Sequence, residues 1–171
     1  ARDAPVTGTK VPTQRVVPAS AEVVIVGGGA IGTSIAFHLA EAGVTDVVLL
    51  ERDQLGTGST CKAAGGVRAQ FSDRINIELG ARSLEAFARF AQRPGQEIDL
   101  HQVGYLFLLS DEKDVVSFEK DVELQNELGV RSQMIDVAEA AALSPLIDTE
   151  GVLAAAFSPD DGHCTPESVV L

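Results

Sequence analysis

Three glycines early in the chain have the spacing of a turn that binds a pyrophosphate. Gly27, Gly29 and Gly32 satisfy the pattern G-x-G-x-x-G. The first glycine of this pattern permits a tight turn, the second lets phosphates approach the backbone, and the third lets a helix pack against a strand. The backbone N–H groups of Ala30 and Ile31 are then expected to point at the phosphates from the positive end of that helix.

The carboxylate of Glu51 has the position in sequence that is typical of an acid that binds the ribose of a dinucleotide. Glu51 ends the next apolar segment, about 20 residues beyond the glycine turn, and an acid at this distance typically binds a ribose hydroxyl. The alternative interpretation is a glycine-rich turn without a ligand. The order of apolar segment, glycine turn, helical segment and acid favours a bound dinucleotide.

The elements that must position these residues form a strand–helix–strand unit. Residues 22–27 are mostly apolar and predict a strand buried on both faces, as in a parallel sheet. Apolar residues spaced by three and four predict a helix over 30–42, and residues 46–51 predict a second strand. This unit is typical of doubly wound folds, so the predicted fold class is α/β with a Rossmann-type domain.

A long loop rich in small residues, 52–72, separates this unit from further elements and is expected to be functional because of its length. Helices are predicted at 73–91, 112–128 and 137–143, and strands or extended segments at 103–111, 130–136 and 151–162. Thr165, Pro166 and Glu167 have the residue types that begin a helix, with the Thr165 hydroxyl as its cap. Because the chain ends one turn later, we expect a fragment, a cleaved piece or one chain of an assembly.

Composition and charge argue against several partners. The net charge of −12 gives an acidic surface, which repels nucleic acid and anionic lipid. No apolar run reaches the roughly 18 residues of a membrane span. Two cysteines are too few for a disulfide scaffold and favour a reducing compartment, either the cytoplasm or an organelle matrix. Residues 1–21 lack helical periodicity and are interpreted as a mobile or surface-lying N-terminal arm.

The loop after the second strand bears on whether the nucleotide is NAD or FAD. A plain NAD-binding fold continues with another strand–helix unit, whereas this chain continues with GTGSTCKAAGGVRAQF. Together with the glycine turn, VVLLERD and, more weakly, DDGHCTPES, this loop resembles the N-terminal part of FAD-dependent amine and amino-acid oxidoreductases of the D-amino-acid oxidase class, in particular sarcosine oxidase-like and dimethylglycine dehydrogenase-like members. The resemblance implies a glutathione-reductase-like FAD-binding domain and the start of a substrate domain with an antiparallel sheet.

The resemblance also implies a path for FAD along the chain. The glycine turn would hold the pyrophosphate, Glu51 the adenosine ribose and Arg52 the region of the adenine. Residues 58–60 would contact the second phosphate and the ribityl chain, and residues 63–67 would run under the flat isoalloxazine ring, where small side chains are needed. The implied cofactor-binding residues are Gly27, Gly29, Ala30, Ile31, Gly32, Glu51, Arg52, Gly58, Ser59, Thr60, Lys62, Ala63, Ala64, Gly65, Gly66 and Val67.

Lys62 departs from one pattern of that class. Dimethylglycine dehydrogenase-like members carry at this position a histidine that bonds covalently to the flavin, and a lysine cannot form that bond. We therefore expect FAD to be held non-covalently, or to be attached through a residue outside this chain.

Arg68 is the candidate for binding a substrate carboxylate, because sarcosine oxidase-like members use an arginine just after this loop for that purpose. A guanidinium offers a carboxylate two parallel hydrogen bonds. The alternative is an ion pair with one of the 25 acidic residues of the chain. Gln70 and Phe71 are expected to border the same pocket.

The remaining cysteines and histidines are interpreted as structural. Cys61 is expected to be a small buried thiol, with redox tuning as the alternative, and His38 a structural residue of the first helix. His101 has no partner in sequence. His163 and Cys164 are adjacent but lack a second spaced pair, so no metal site is predicted.

The resemblance implies an enzyme that oxidises the C–N bond of an amino acid or N-methyl amino acid, such as sarcosine, dimethylglycine, proline or glycine, by hydride transfer to the flavin. The expected domains are a first FAD-binding segment (22–95), a first substrate-domain segment (96–157) and a return to the FAD domain (158–171). The partner is the rest of the same protein or another chain. Two alternatives stay open: a non-catalytic FAD-binding segment of a nicked or heteromeric flavoprotein, and an NAD-dependent dehydrogenase, which the long loop disfavours.

Overall fold

The computed structural model describes residues 17–171, so most of the N-terminal arm predicted at 1–21 lies outside the described residues. Three small sheets and four α-helices make up the described part. Its elements are β1 (Val23–Val26), α1 (Ala30–Glu41), β2 (Val47–Leu50), β3 (Gly66–Val67), α2 (Arg74–Ala88), β4 (Tyr105–Leu109), α3 (Glu112–Glu127), β5 (Gln133–Ile135), α4 (Val137–Leu143), β6 (Ala154–Ser158) and β7 (Gly162–His163), with short 3-10 helices at Thr60–Lys62 and Pro166–Val169.

The predicted strand–helix–strand unit is confirmed, because β1 pairs in parallel with β2 and α1 connects them. The prediction that the first strand is buried on both faces is wrong. Ile25 is 7% exposed, whereas Val24 and Val26 are 53% and 84% exposed on the opposite face. Because every residue of this strand is apolar, its sequence does not indicate which face is covered. In the structure α1 covers one face of the two strands.

The second sheet-forming region is antiparallel, in the order β4-β6-β5. Its register places Phe107 opposite Ala156 and Gln133 opposite Phe157. The helix α4 has the bounds predicted for it. At its start Asp136 accepts from the Glu139 N–H, and the Glu139 carboxylate accepts in return from the Asp136 N–H. This reciprocal capping box satisfies two otherwise unpaired backbone donors.

The chain returns at its end to the loop that follows β2. There β7 pairs antiparallel with β3, with His163 opposite Gly66. The predicted helix at Thr165 is a single 3-10 turn, and the prediction that the Thr165 hydroxyl caps it is wrong. That hydroxyl donates instead to Oδ2 of Asp99 at 3.3 Å, so it is turned away from the N–H groups of the turn.

Two hydrophobic clusters form the core. The larger one joins the small-residue loop and α2 to residues far along the chain, and its buried members are Val67, Ala69, Ile77, Leu84, Ile98, Val130 and Cys164. The smaller one lies under the antiparallel sheet and comprises Ile135, Ala140 and Ala155. Among the helices of residues 17–171, none is long and apolar enough to cross a membrane.

Candidate functional site

The glycine turn is closed by contacts that a larger residue would prevent. Gly27 adopts a φ of +104° and its N–H donates to the carbonyl of Leu50 at 2.8 Å, which joins the turn to β2. A side chain at Gly32 would overlap the carbonyl of Gly27. Glycine at this position therefore lets α1 begin directly against the end of β1, as the sequence pattern predicts.

Glu51 is bonded to the glycine turn. Its Oε2 accepts from the N–H of Gly28 at 2.7 Å, and its Oε1 accepts from the N–H of Asp53 at 2.9 Å. These two backbone donors, that of Asp53 first, lower the pKa of Glu51. An ionised carboxylate has about four acceptor positions, so the exposed Glu51 retains acceptors for two ribose hydroxyls.

The first helical N–H has a partner within the chain. Ala30 donates to Oγ1 of Thr60 at 3.0 Å, which fastens the small-residue loop to the N-terminus of α1. Since this oxygen acts as the acceptor, the hydroxyl keeps its own proton for a further acceptor. The roles predicted for Ala30 and Thr60 in phosphate binding stay predictions.

The prediction that Cys61 is a buried thiol is wrong, because Cys61 is exposed. In the 3-10 helix at Thr60–Lys62, the Sγ of Cys61 points toward carbonyls of the same loop and lies 3.1 Å from the carbonyl oxygen of Thr57. Lys62 and Arg52 are also exposed, and the Nε of Arg52 lies 3.2 Å from Oδ2 of Asp53.

A cavity of about 320 Å³ is lined mainly by small apolar residues. In the wall of this cavity Gly65 adopts a φ of +78°, and a side chain there would overlap the carbonyl of Cys164. The N–H of Cys164 donates to the carbonyl of Gly65 at 2.9 Å. The residues that line it are Ala30, Thr60, Ala63, Ala64, Gly65, Gly66, Val67, Phe87, Cys164, Pro166 and Val169.

This cavity suits the planar ring of a flavin. The N–H groups of Gly27, Gly28 and Ala30 donate within the chain, and phosphate binding by the glycine turn stays a prediction. The segment 63–67 predicted to face the ring lines the cavity throughout. Sequence reasoning missed Phe87, Cys164, Pro166 and Val169, which reach it through α2 and through the pairing of β3 with β7. Nothing in the local pattern of these four residues signals this position.

Arg68 lies directly beyond that segment, half-buried among aromatic rings. Its guanidinium carbon is 4.9 Å from the centre of the Phe71 ring, 5.2 Å from that of Phe107 and 5.6 Å from that of Tyr105. Within residues 17–171 it forms no ion pair, so the alternative prediction of a partner acid has no support there. The cation is thus held by ring faces, with its hydrogen bonds to a carboxylate still available.

A second cavity, of about 290 Å³, contains Arg68 and adjoins the first. The two cavities share Gly66, Val67 and Phe87. Of the two residues expected to border the substrate pocket, Phe71 lines the second cavity, whereas Gln70 lines neither cavity and is 4% exposed. A molecule with an anionic end at Arg68 would therefore reach the edge of the cavity lined by small residues.

Asp161 is a buried polar residue that sequence reasoning did not single out. It is 0% exposed, and its Oδ1 accepts from the N–H of Ala69 at 3.0 Å. Its Oδ2 accepts from Nε2 of Gln70 at 3.3 Å. The only sequence signal is its place in DDGHCTPES, because an acid in a turn between strands is otherwise typical of a surface residue.

The histidines fall into two groups. His38 is exposed on α1, with its Nδ1 at 3.4 Å from the carboxylate of Glu41, as suits a structural role. His101, for which the sequence indicates no partner, has two in the structure: its ring centre lies 5.2 Å from that of His163, and its Nε2 is 3.0 Å from Oδ1 of Asp99. In the part of the chain with described coordinates, no group of three or more His, Cys, Asp or Glu could hold a metal ion.

Comparison with known proteins gives concordant matches. A sequence profile of the family described as DAO, FAD dependent oxidoreductase, matches residues 22–171. The chain is 36% identical over 152 residues to mitochondrial dimethylglycine dehydrogenase of Rattus norvegicus, which is 88% of this chain and 18% of that protein. It is 35% identical over 151 residues to 4-methylaminobutanoate oxidase (formaldehyde-forming) of Paenarthrobacter nicotinovorans, with 87% and 18% covered.

A solved structure shows the same fold. L-proline dehydrogenase from P. horikoshii matches with a TM-score of 0.82 and 37% identity over 90% of this chain and 40% of that one. The chain thus spans less than one fifth of the two curated relatives, at 18% of each, and less than half of this structural neighbour.

Proposed function

Because the chain belongs to the FAD-dependent oxidoreductase family, we propose that the protein containing it oxidises the C–N bond of an amino acid or N-methyl amino acid. The substrates in the names of the three relatives share a carboxylate and a secondary or tertiary amine. The observation that carries the proposal is the position of Arg68, an arginine without an ion-pair partner among the described residues, in a cavity that adjoins the one lined by small residues.

We propose a contact within the chain for each part of FAD. The glycine turn and the Thr60 hydroxyl would hold the phosphates, the carboxylate of Glu51 would hold the ribose, and residues 63–67 would lie against the ring. When bound, the flavin supplies an acceptor for the two electrons removed from the C–H bond next to nitrogen. We propose non-covalent binding, since Lys62 replaces the histidine of dimethylglycine dehydrogenase-like members and is exposed.

Arg68 would fix the substrate by its carboxylate. The surrounding rings of Phe71, Tyr105 and Phe107 half-bury the guanidinium, and the lower local dielectric would strengthen a charge-assisted bond. Holding one end of a small amino acid restricts where its C–N bond can lie, and this orientation is a large part of the rate advantage of an enzyme. No base from this chain is needed when the amine binds neutral.

The rest of the pocket would come from elsewhere in the same protein or from a partner chain, in keeping with the 18% share of the relatives. The proposed segments are 22–95 for the FAD domain, 96–157 for the substrate domain and 158–171 for the return. The proposed location is the cytoplasm or an organelle matrix, and the rat relative is named as mitochondrial.

The test is anaerobic reduction of the full-length, FAD-loaded protein. Proline, sarcosine and dimethylglycine are each mixed with it, and pyrrolidine serves as the matched control because it is proline without the carboxylate. We expect the visible flavin band to bleach with at least one of the three amino acids and to bleach far more slowly with pyrrolidine. Purified protein without flavin, or flavin that no carboxylated amine reduces, would overturn the proposal.

A further inference from the structure

Two neighbouring aspartates at the turn between β6 and β7 have opposite environments. Asp160 lies at the surface and forms an ion pair with Arg131. Asp161 is 0% exposed, and within residues 17–171 no cation pairs with it. Burial disfavours the charged form and raises the pKa of Asp161. A fully buried carboxylate without a cation costs folding energy, so its presence calls for a role beyond packing.

The carboxylate of Asp161 holds the two residues that follow Arg68. It accepts from the Ala69 N–H at 3.0 Å and from the Gln70 side-chain amide at 3.3 Å. The same amide nitrogen of Gln70 donates to the carbonyl of Tyr105 at 2.9 Å. Asp161 is thereby connected both to the backbone that carries Arg68 and to the residue whose ring contacts its guanidinium.

The backbone of Asp161 reinforces this connection. Its carbonyl accepts from the N–H of Gly104 at 2.8 Å, directly before Tyr105. On the other side, a side chain at Gly80 of α2 would come within 2.9 Å of the Ala69 Cα. The segment after Arg68 is therefore held between a buried carboxylate and a closely packed helix.

The amide of asparagine could not replace this carboxylate without loss. Its oxygen could accept from Ala69, but its NH₂ would then face the NH₂ of Gln70, and two donors cannot bond to each other. Rotating the Gln70 amide would remove its bond to Tyr105. The arrangement requires a group that accepts at both of its polar atoms, which among side chains of this size is aspartate.

We propose that Asp161 is a positioning residue that holds Arg68 in the orientation required to bind a substrate carboxylate. This inference rests on the proposed function of Arg68. Asp161 acts through the Ala69 backbone and through Gln70, and it does not touch the substrate itself.

The test measures binding of pyrrole-2-carboxylate, a planar proline analogue, to the full-length FAD-loaded protein through the change in the flavin spectrum. We expect Asp161→Asn to weaken binding about 10- to 100-fold, since small displacements of a binding group have effects of this size. The matched control is Asp160→Asn, because Asp160 takes no part in the hydrogen bonds to Ala69 and Gln70. We expect this variant to leave the affinity for pyrrole-2-carboxylate unchanged. In an Arg68→Gln background, Asp161→Asn should have almost no further effect on carboxylate binding.

This double substitution separates positioning from general structural damage, which would weaken binding in either background. Binding by Asp161→Asn equal to that of the unsubstituted protein, or an undiminished effect in the Arg68→Gln background, would overturn the inference alone. No binding by the unsubstituted protein would overturn the carboxylate site and this role with it. If Asp161→Asn fails to fold, Gln70→Met, which removes the second bond, should weaken binding in the same direction, and an unchanged affinity would count against the proposal.

Discussion

The backbone N–H of Gly28 donates to Oε2 of Glu51 across 2.7 Å. The two sequence features that predict a dinucleotide, the glycine turn and the acid after the next strand, are thus bonded directly to each other. The acid consequently shapes the turn, in addition to the contact with a ribose that is proposed for it. Its second oxygen, which accepts from Asp53 at 2.9 Å, fixes the orientation of the carboxylate plane.

Glu51→Gln should weaken FAD binding because glutamine can accept from only one of the two backbone donors, and its NH₂ opposes the other. We expect the dissociation constant of FAD to rise about tenfold or more, which is the effect of losing a hydrogen bond to a charged group. Titration of the apoprotein with FAD, followed by flavin fluorescence, measures this. Glu85→Gln, which alters an exposed acid paired with Arg89 on α2, is the matched control and should bind FAD normally.

The same carboxylate gives a prediction for acid stability without cofactor. The pKa of Glu51 is lowered in the folded state from its ordinary value of 4.5, mainly by the bond from Asp53. Its contribution is therefore present above 4.5 and is lost as the pH falls through the lowered folded pKa. The thermal midpoint of the unsubstituted apoprotein should exceed that of Glu51→Gln at about pH 6, and the difference should shrink toward about pH 3. A difference that grows on acidification would contradict this.

The sequence predicts those parts of the fold that depend on local pattern. The start of α4 follows from residues within one helical turn, namely the cap at Asp136 and the acid at Glu139, and its end follows from Ser144 and Pro145. The order β1, α1, β2 follows from the apolar periodicity and from the G-x-G-x-x-G spacing of Gly27, Gly29 and Gly32. Each of these features requires only neighbours in the chain, so a single sequence contains the needed information.

Features that depend on distant partners could not be predicted. The strands β3 and β7 have two residues each and lie nearly a hundred positions apart, so no periodicity announces their pairing. The burial of Asp161 and the turned hydroxyl of Thr165 follow from that return of the chain. The exposure of Cys61 likewise depends on a turn within the loop of small residues, and that loop has no periodic pattern from which the turn could be predicted.

Arg68→Lys tests whether a forked donor is required at the candidate site. Lysine keeps the charge but offers a single point of attachment and stacks poorly on aromatic faces. We expect KM for the amino acid that reduces the flavin to rise about 100-fold, because a bidentate pair is replaced by a single contact. The slow oxidation of pyrrolidine, which has no carboxylate, should be unchanged. Steady-state kinetics of both substrates measure this, with Arg89→Lys, directly after the end of α2, as a surface control.

Equal losses for proline and pyrrolidine in Arg68→Lys would contradict a role in carboxylate binding. They would assign Arg68 to the stability of the aromatic cluster formed by Phe71, Tyr105 and Phe107. Thermal unfolding of the same variant separates the two interpretations, since a binding role leaves the midpoint nearly unchanged.

Gly65→Ala should damage the cavity proposed to face the flavin ring. Its φ of +78° disfavours any other residue, and the added methyl group would overlap the carbonyl of Cys164. Gly129→Ala is the matched control because its φ is +86° and no atom lies within 4 Å of the added group. Both variants incur the left-handed backbone cost of about 1–2 kcal/mol, but only Gly65→Ala must also separate β3 from β7.

We therefore expect Gly65→Ala to lower the free energy of unfolding by about 3 kcal/mol or more, against about 1 kcal/mol for Gly129→Ala. FAD affinity should fall in the first variant and remain normal in the second. Chemical denaturation and FAD titration of the two full-length variants measure both quantities. Equal destabilisation with equal FAD affinity would mean that the contact between Gly65 and Cys164 does not shape the cavity, since the backbone conformation alone would then account for the whole effect.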